Sequence, residues 1–425
     1  MARAGLGGAL QVTARDAPTS AARRAPGADD TDVVELARAL IRAPSPNPPG
    51  DERAAAAVVG DALQALGLPA AERIARDAMR PNLLVSIEFG AGGRHLVLCG
   101  HMDTKPVGDA SWTTDPHGAE RDGDRLYGLG SADMKGALAA MLAAAGRLAE
   151  DPPPAGRLSL LFTADEENGA AFGARHVTRT RPLAADAVVI GEPGGIEEDF
   201  DRLHLVSRGI ARMRLVARAR QGHSSLADDL AMRNAGVDAA RALLAVHDDL
   251  GLPVPPDAHG LAGWRATVNT GLAFRGGVGY GVLPGHISVD TEVRLLPGME
   301  RDEVTAAFRR ALGAVAARTG AALELSFDEP PNDWLPATMV EPSHPLARTA
   351  ARACATVLDH DVRASVFPGT TDATFFAEPT LPALGPGLLR RAHAADEWVS
   401  VQAVHHAVEI YAELIRRFCP VEEDA

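Results

Sequence analysis

The apolar positions of the chain change period several times, and those changes divide it. Val33, Leu36, Ala37, Leu40 and Ile41 recur at helical spacing until the proline-rich run 44–50, where the rings remove amide donors and push preceding residues out of the αR region. A second helix is expected over 51–66. Strand and helix signals then alternate, with strands at 83–89, 95–99, 158–163 and 187–190 and helices at 136–148 and 171–178. The strand segments are short unbroken apolar runs, as a sheet covered on both faces requires. This predicts an α/β layer sandwich.

Beyond Pro193 the strands change character. Residues 203–206 and 211–219 read as paired strands, 231–250 and 303–318 as helices, and 267–274, 286–295 and 322–327 as further strands. Alternation between apolar and polar positions predicts an antiparallel sheet with one buried face, backed by the two helices. The proline-rich segment 329–336 leads back to the first domain, where 345–358 and 401–418 are amphipathic and a strand lies near 382–384. The expected organisation is a disordered arm over 1–30, a first domain in two parts, 31–205 and 331–425, and an inserted α+β domain over 206–330.

Composition narrows the partners. With 425 residues, 46% of them hydrophobic and 23% charged, the chain can bury a large core, and no stretch reaches the ~20 apolar residues of a membrane span. A net charge of −14 argues against nucleic acid or an anionic membrane and favours a small molecule. The first 30 residues lack the apolar core of a secretory signal, and three cysteines at unrelated spacings imply no disulfide framework, so a reducing cytoplasm is expected. Of the 42 basic residues only Lys105 and Lys135 are lysines.

Four clusters fall at the expected carboxyl ends of strands: Gly100, His101, Met102 and Asp103; Ser131 to Gly136; Asp165, Glu166, Glu167 and Asn168; and Gly191, Glu192 and Pro193. Ligands of open α/β sheets collect at that edge. A fifth, running His393, Ala394, Ala395, Asp396, Glu397, lies far downstream. Several carboxylates converging without a cation would repel one another, so two imidazoles with four or more acids suit zinc or a similar divalent ion, and a pair of ions if one carboxylate bridges. Of the adjacent acids Glu166 and Glu167, one could bind metal while the other moves a proton.

The ordered set H-M-D, S-A-D-M-K-G, D-E-E, G-E-P and H-A-A-D-E closely resembles the dizinc hydrolase family of acetylornithine deacetylase, succinyl-diaminopimelate desuccinylase, glutamate carboxypeptidase and aminoacylase-1. The resemblance runs from about residue 32 to 418. It implies a zinc-peptidase-like three-layer α/β/α catalytic domain with a ferredoxin-like lid and dimerisation domain inserted. It also implies two divalent ions, Zn2+ with Co2+ as the alternative: Asp133 bridging, His101 and Glu192 at one ion, Glu167 and His393 at the other. Glu166 would be the general base and acid, Asp103 would orient His101, and a cis peptide would follow Asp133. In the insertion, Gly222, His223, Ser224 and Ser225 resemble the motif whose histidine enters the partner subunit's site in a homodimer. Arg294 matches an arginine gripping a substrate carboxylate, and Gly369, Thr370, Thr371 and Asp372 match a loop beside the substrate. Lys105 stands where relatives carry an apolar residue, and because lysine is nearly eliminated elsewhere it points to an acidic substrate group. The activity implied is hydrolysis of the amide of an N-acyl amino acid or related amine. A carboxypeptidase or dipeptidase acting on a short peptide is the alternative within the family, and a non-catalytic binding protein on the same scaffold the rival outside it.

Overall fold

The computed structural model describes residues 30–252, 264–330 and 332–421; most of the expected N-terminal arm, 1–29, lies outside the described residues. The described chain divides into two units, Arg208–Thr338 and the flanking segments that end at Ser207 and resume at Met339. In chain order the strands that matter here are β1 (Glu72–Ile74), β2 (Asn82–Gly90), β3 (His95–His101), β4 (Gly156–Thr163), β5 (Ala187–Ile190), β6 (Gly209–Arg218), β7 (Thr267–Gly276), β8 (His286–Leu295), β9 (Ala322–Phe327) and β10 (Thr380–Leu381). The helices are α1 (Asp30–Ile41), α2 (Arg53–Ala65), α3 (Gly136–Glu150), α4 (Ala174–Thr180), α5 (Ala235–Asp249), α6 (Arg301–Thr319), α7 (Pro345–Leu358) and α8 (Val401–Phe418).

In the flanking unit a mixed sheet runs in the order β1-β2-β4-β3-β5-β10. Strand β3 pairs in parallel with both β4 and β5, and all seven of its residues are buried. Period-two alternation sends Leu96 and Leu98 into a core shared with α1, α2, α3, α7 and α8, while Val97 and Cys99 enter a second core with Ala174 and Val177 of α4. The unbroken apolar runs therefore do feed two cores, and the result is helices on both faces of one sheet. Among the described residues no helix is long and apolar enough to cross a membrane.

The other unit follows the order β6, α5, β7, β8, α6, β9 and forms an antiparallel sheet arranged β7-β8-β6-β9, a β-α-β-β-α-β unit. Ala211, Met213, Leu215 and Ala217 alternate inward from β6 onto Ala239, Ala242 and Val246 of α5 and Val304, Phe308 and Leu312 of α6. One expectation fails: the strand Arg202–Ser207 does not pair with β6 but runs parallel to Arg363–Phe367 in the flanking unit. Only Arg208 separates it from β6, and a hairpin needs at least about two turn residues. The chain runs straight on into a different sheet.

Candidate metal centre

Because β3, β4 and β5 lie side by side and parallel, their carboxyl ends deliver His101, the Asp165–Glu167 turn and Glu192 to one edge. Asp133 arrives from the segment Ser131–Lys135 that opens α3, entered through Gly130 at φ 79°, a left-handed conformation that favours glycine. The Asp133–Met134 peptide is cis, as the resemblance implies. His393 comes from the loop after Leu389–Arg391.

These side chains meet. His101 Nε2 lies 3.0 Å from Asp133 Oδ1 and 3.6 Å from Glu192 Oε1. His393 Nε2 lies 3.2 Å from Asp133 Oδ2 and 3.0 Å from Glu167 Oε1. Two groups result, His101 with Asp133 and Glu192, and Asp133 with Glu167 and His393; within each the ligand atoms lie within 4.8 Å of one another, and Asp133 belongs to both.

Electrostatics gives the reason such a cluster calls for cations. Burial pushes the carboxyls of Glu166 and Glu192 well above the usual range, and neighbouring acids add to it. Burial alone would lower His101, yet its hydrogen bond to Asp133 and the charge of Glu192 outweigh that and hold the imidazole well above 6.5. Bonds to Asp133 and Glu167 lift His393 to about 10. Burial would raise Asp133, but the two imidazoles drive it down. Each imidazole nitrogen thus lies between two carboxylates, a position in which a divalent ion would bind nitrogen and oxygen together. The donor set fits zinc-like ions.

A buried frame holds the ligands. His101 Nδ1 donates to the Asp103 carbonyl at 3.0 Å, while the Asp103 carboxylate accepts the backbone N–H groups of Glu166 and Glu167, each at 3.1 Å. Asn47 Nδ2 donates to Asp103 at 2.8 Å and to Asp165 at 2.9 Å, and Arg80 joins Glu52 and Asp165 at 2.7 and 3.0 Å. Glu397, 1% exposed, accepts from the backbone of Gly130, Ala132 and Asp133 at 3.0, 2.9 and 3.1 Å and so fixes the Asp133 segment. Sequence reading missed the roles of Asn47, Glu52, Arg80, Asp165 and Glu397. The asparagine amid prolines, the first acid of the Asp165–Glu167 cluster and the acid closing the His393 motif carried a signal; Glu52 and Arg80 carried none. Glu166 itself is half-buried, and no described residue hydrogen-bonds its carboxyl.

The remaining candidates lie as follows. Lys105 Nζ sits 3.1 Å from Glu167 Oε2 and also donates to the Glu167 carbonyl, so its acidic neighbour in the structure is a protein carboxylate. Gly369 and Thr370 follow the strand Arg363–Phe367; just beyond them, buried Asp372 accepts from Thr163 Oγ1 at the end of β4 at 3.1 Å. In the inserted unit, exposed His223 engages Ser225 through Nδ1 at 2.8 Å, and Arg294 Nε donates to Glu292 at 3.1 Å.

The chain resembles known proteins over most of its length. The chain is 31% identical over 350 residues to acetylornithine deacetylase of Vibrio atlanticus (strain LGP32), covering 80% of this chain and 84% of the relative. Its fold is that of an M20 family metallo-carboxypeptidase, Sso-CP2 of Sulfolobus solfataricus, at a TM-score of 0.72 and 18% identity over 92% of this chain and 99% of the other. It likewise matches YXEP of Bacillus subtilis, described as a dinuclear metal binding peptidase from M20 family, at a TM-score of 0.66 and 17% identity over 91% and 97%. Residues 97–417 match the model of peptidase family M20/M25/M40, and the chain belongs to that family.

Proposed function

We propose that the protein is a two-metal hydrolase that removes the acyl group of an N-acyl amino acid or related amine. The observation carrying this reading is the pair of ligand groups sharing Asp133, with the unengaged carboxyl of Glu166 next in sequence to Glu167. In this reading His101, Asp133 and Glu192 hold one ion and Asp133, Glu167 and His393 the other, with Zn2+ as the native metal and Co2+ as a substitute. Bound there, two divalent ions supply Lewis-acid polarisation of the amide carbonyl and ionisation of water near neutral pH.

The chain's own residues do the rest. Glu166 takes the proton of the attacking water and returns it to the leaving nitrogen, a role suited to a carboxyl whose lost hydration raises its proton affinity. Asp103 sets both His101 and the Glu166–Glu167 backbone. The Gly369–Thr370 loop contacts the amino-acid part. The partner subunit's His223 stabilises the oxyanion, a kind of contact worth ~3–4 kcal/mol.

A homodimer is part of this reading. Strand β7 is a sheet edge that leaves Leu272 and Phe274 exposed, and α5 leaves Val237 and Leu244 exposed; an apolar edge strand is a template for pairing with a second copy. A cytoplasmic location goes with it, supported by three unpaired, buried cysteines. Mixing inactive His223→Ala and inactive Glu166→Ala subunits should restore activity, because each heterodimer has one complete site. No recovery in verified heterodimers would rule out the trans histidine.

Substrate class is tested by mass spectrometry of products from a panel of N-acetyl and N-succinyl amino acids beside dipeptides, using one zinc-loaded preparation. Free amino acid from the N-acyl panel is expected. Turnover confined to dipeptides would transfer the assignment to the peptidase branch, which the family description favours as the second reading.

A further inference from the structure

The chain's two lysines both stand beside the acidic cluster, while every other basic position, 40 in all, is arginine. Lys135 is spent within the fold: its buried ammonium donates to the Ala43 carbonyl at 2.8 Å. Lys105 is different. Its side chain, 37% exposed, reaches Glu167, which is only 4% exposed, and touches both the carboxylate and the main-chain carbonyl. Glu167 thus divides its oxygens, Oε1 toward His393 at 3.0 Å and Oε2 toward the ammonium at 3.1 Å.

Nothing comparable acts on the other group. Among the described residues no ammonium or guanidinium pairs with Glu192, whose ion-pair contact is His101. The two groups differ in solvent access as well, since the His101 side chain is 1% exposed and that of His393 47%.

We propose that Lys105 makes the two ion positions unequal: by holding the Glu167 carboxylate it weakens binding at the Asp133, Glu167, His393 group, so the ion there is the second to bind and the first to leave. This rests on the two-ion reading above. A fixed positive charge beside the buried Glu167 carboxylate repels an incoming divalent ion and competes for its ligand, and both effects act at one carboxylate that is only 4% exposed. Lysine also suits the task where arginine does not. A compact ammonium on a flexible stem can hold one oxygen and leave the other to the metal, whereas a guanidinium fork takes both oxygens of a carboxylate. The consequence is an enzyme whose second ion exchanges with the surrounding pool while the first stays resident.

The test is titration of metal-free protein with Zn2+ against a chromophoric chelator, which reads ion number and both dissociation constants without reference to turnover. The unaltered protein should show two steps separated by about tenfold or more; His393→Ala should remove the weaker and Glu192→Ala the tighter. Lys105→Met should tighten the weaker step by about tenfold and leave the tighter one within threefold. Lys105→Arg should weaken the second step further. An unchanged second constant in Lys105→Met, or a change confined to the first, overturns the proposal. Fewer than two ions on the unaltered protein, with Glu192→Ala and His393→Ala binding like it, would instead overturn the two-ion reading itself.

Discussion

Glu166→Gln is expected to lower kcat by about 10²–10⁴-fold while leaving the number of bound zinc ions unchanged and KM within a few-fold. The substitution keeps the size of the side chain and removes only its capacity to accept a proton. It should leave the fold alone, because no described residue hydrogen-bonds the Glu166 carboxyl and the turn is held through backbone, by Asp103 on the N–H groups of Glu166 and Glu167. The neighbouring Glu167 cannot take over, since its oxygens already face His393 and Lys105. A structural role would show differently: lost stability with turnover falling in proportion. The checks are steady-state kinetics on the substrate found by the product screen, together with metal analysis of the same preparation. Turnover within tenfold of the unaltered enzyme would remove Glu166 as the proton carrier and leave the metal assignment standing.

The parts of the molecule that could be read in advance share a physical cause. Acids and histidines delivered to one edge from the ends of adjacent strands must stand at fixed places after apolar runs, and His101, Asp133, Glu166, Glu167 and Glu192 each follow such a run or open the helix after one. The sheet was legible because β3 must be apolar at every position to feed two cores. What was not legible depends on partners remote in sequence. Arg80 meets Glu52 and Asp165 only after folding, and in a chain with 40 arginines nothing local sets it apart. Asn47 bridges Asp103 and Asp165, residues 56 and 118 positions away. Arg202–Ser207 was assigned to the wrong neighbour for the same reason, since propensity describes a strand's own residues and leaves its partner open.

Asp133→Asn should abolish turnover and, in the same protein, erase the stabilisation that zinc confers. Asp133 is the one residue in both ligand groups, so its loss weakens both ions where any other ligand change weakens one. By linkage, a metal at 100 times its dissociation constant adds about 2.7 kcal/mol per site, which should appear as a rise in Tm of several degrees in the unaltered protein and as almost none in the variant. Measuring Tm with excess chelator and with saturating Zn2+ separates this from a purely structural ion network. If the cluster existed only to tie the fold together, removing Asp133 would strip both imidazoles of a carboxylate partner, and the variant would melt well below the unaltered protein even in chelator. If the cluster exists to hold cations, the metal-free variant should melt close to the metal-free original, because His101 still faces Glu192 and His393 still faces Glu167 while one acid fewer crowds the site. A zinc-dependent rise in Tm as large in Asp133→Asn as in the unaltered chain would show that the ions bind elsewhere, and the hydrolase assignment would lose its centre.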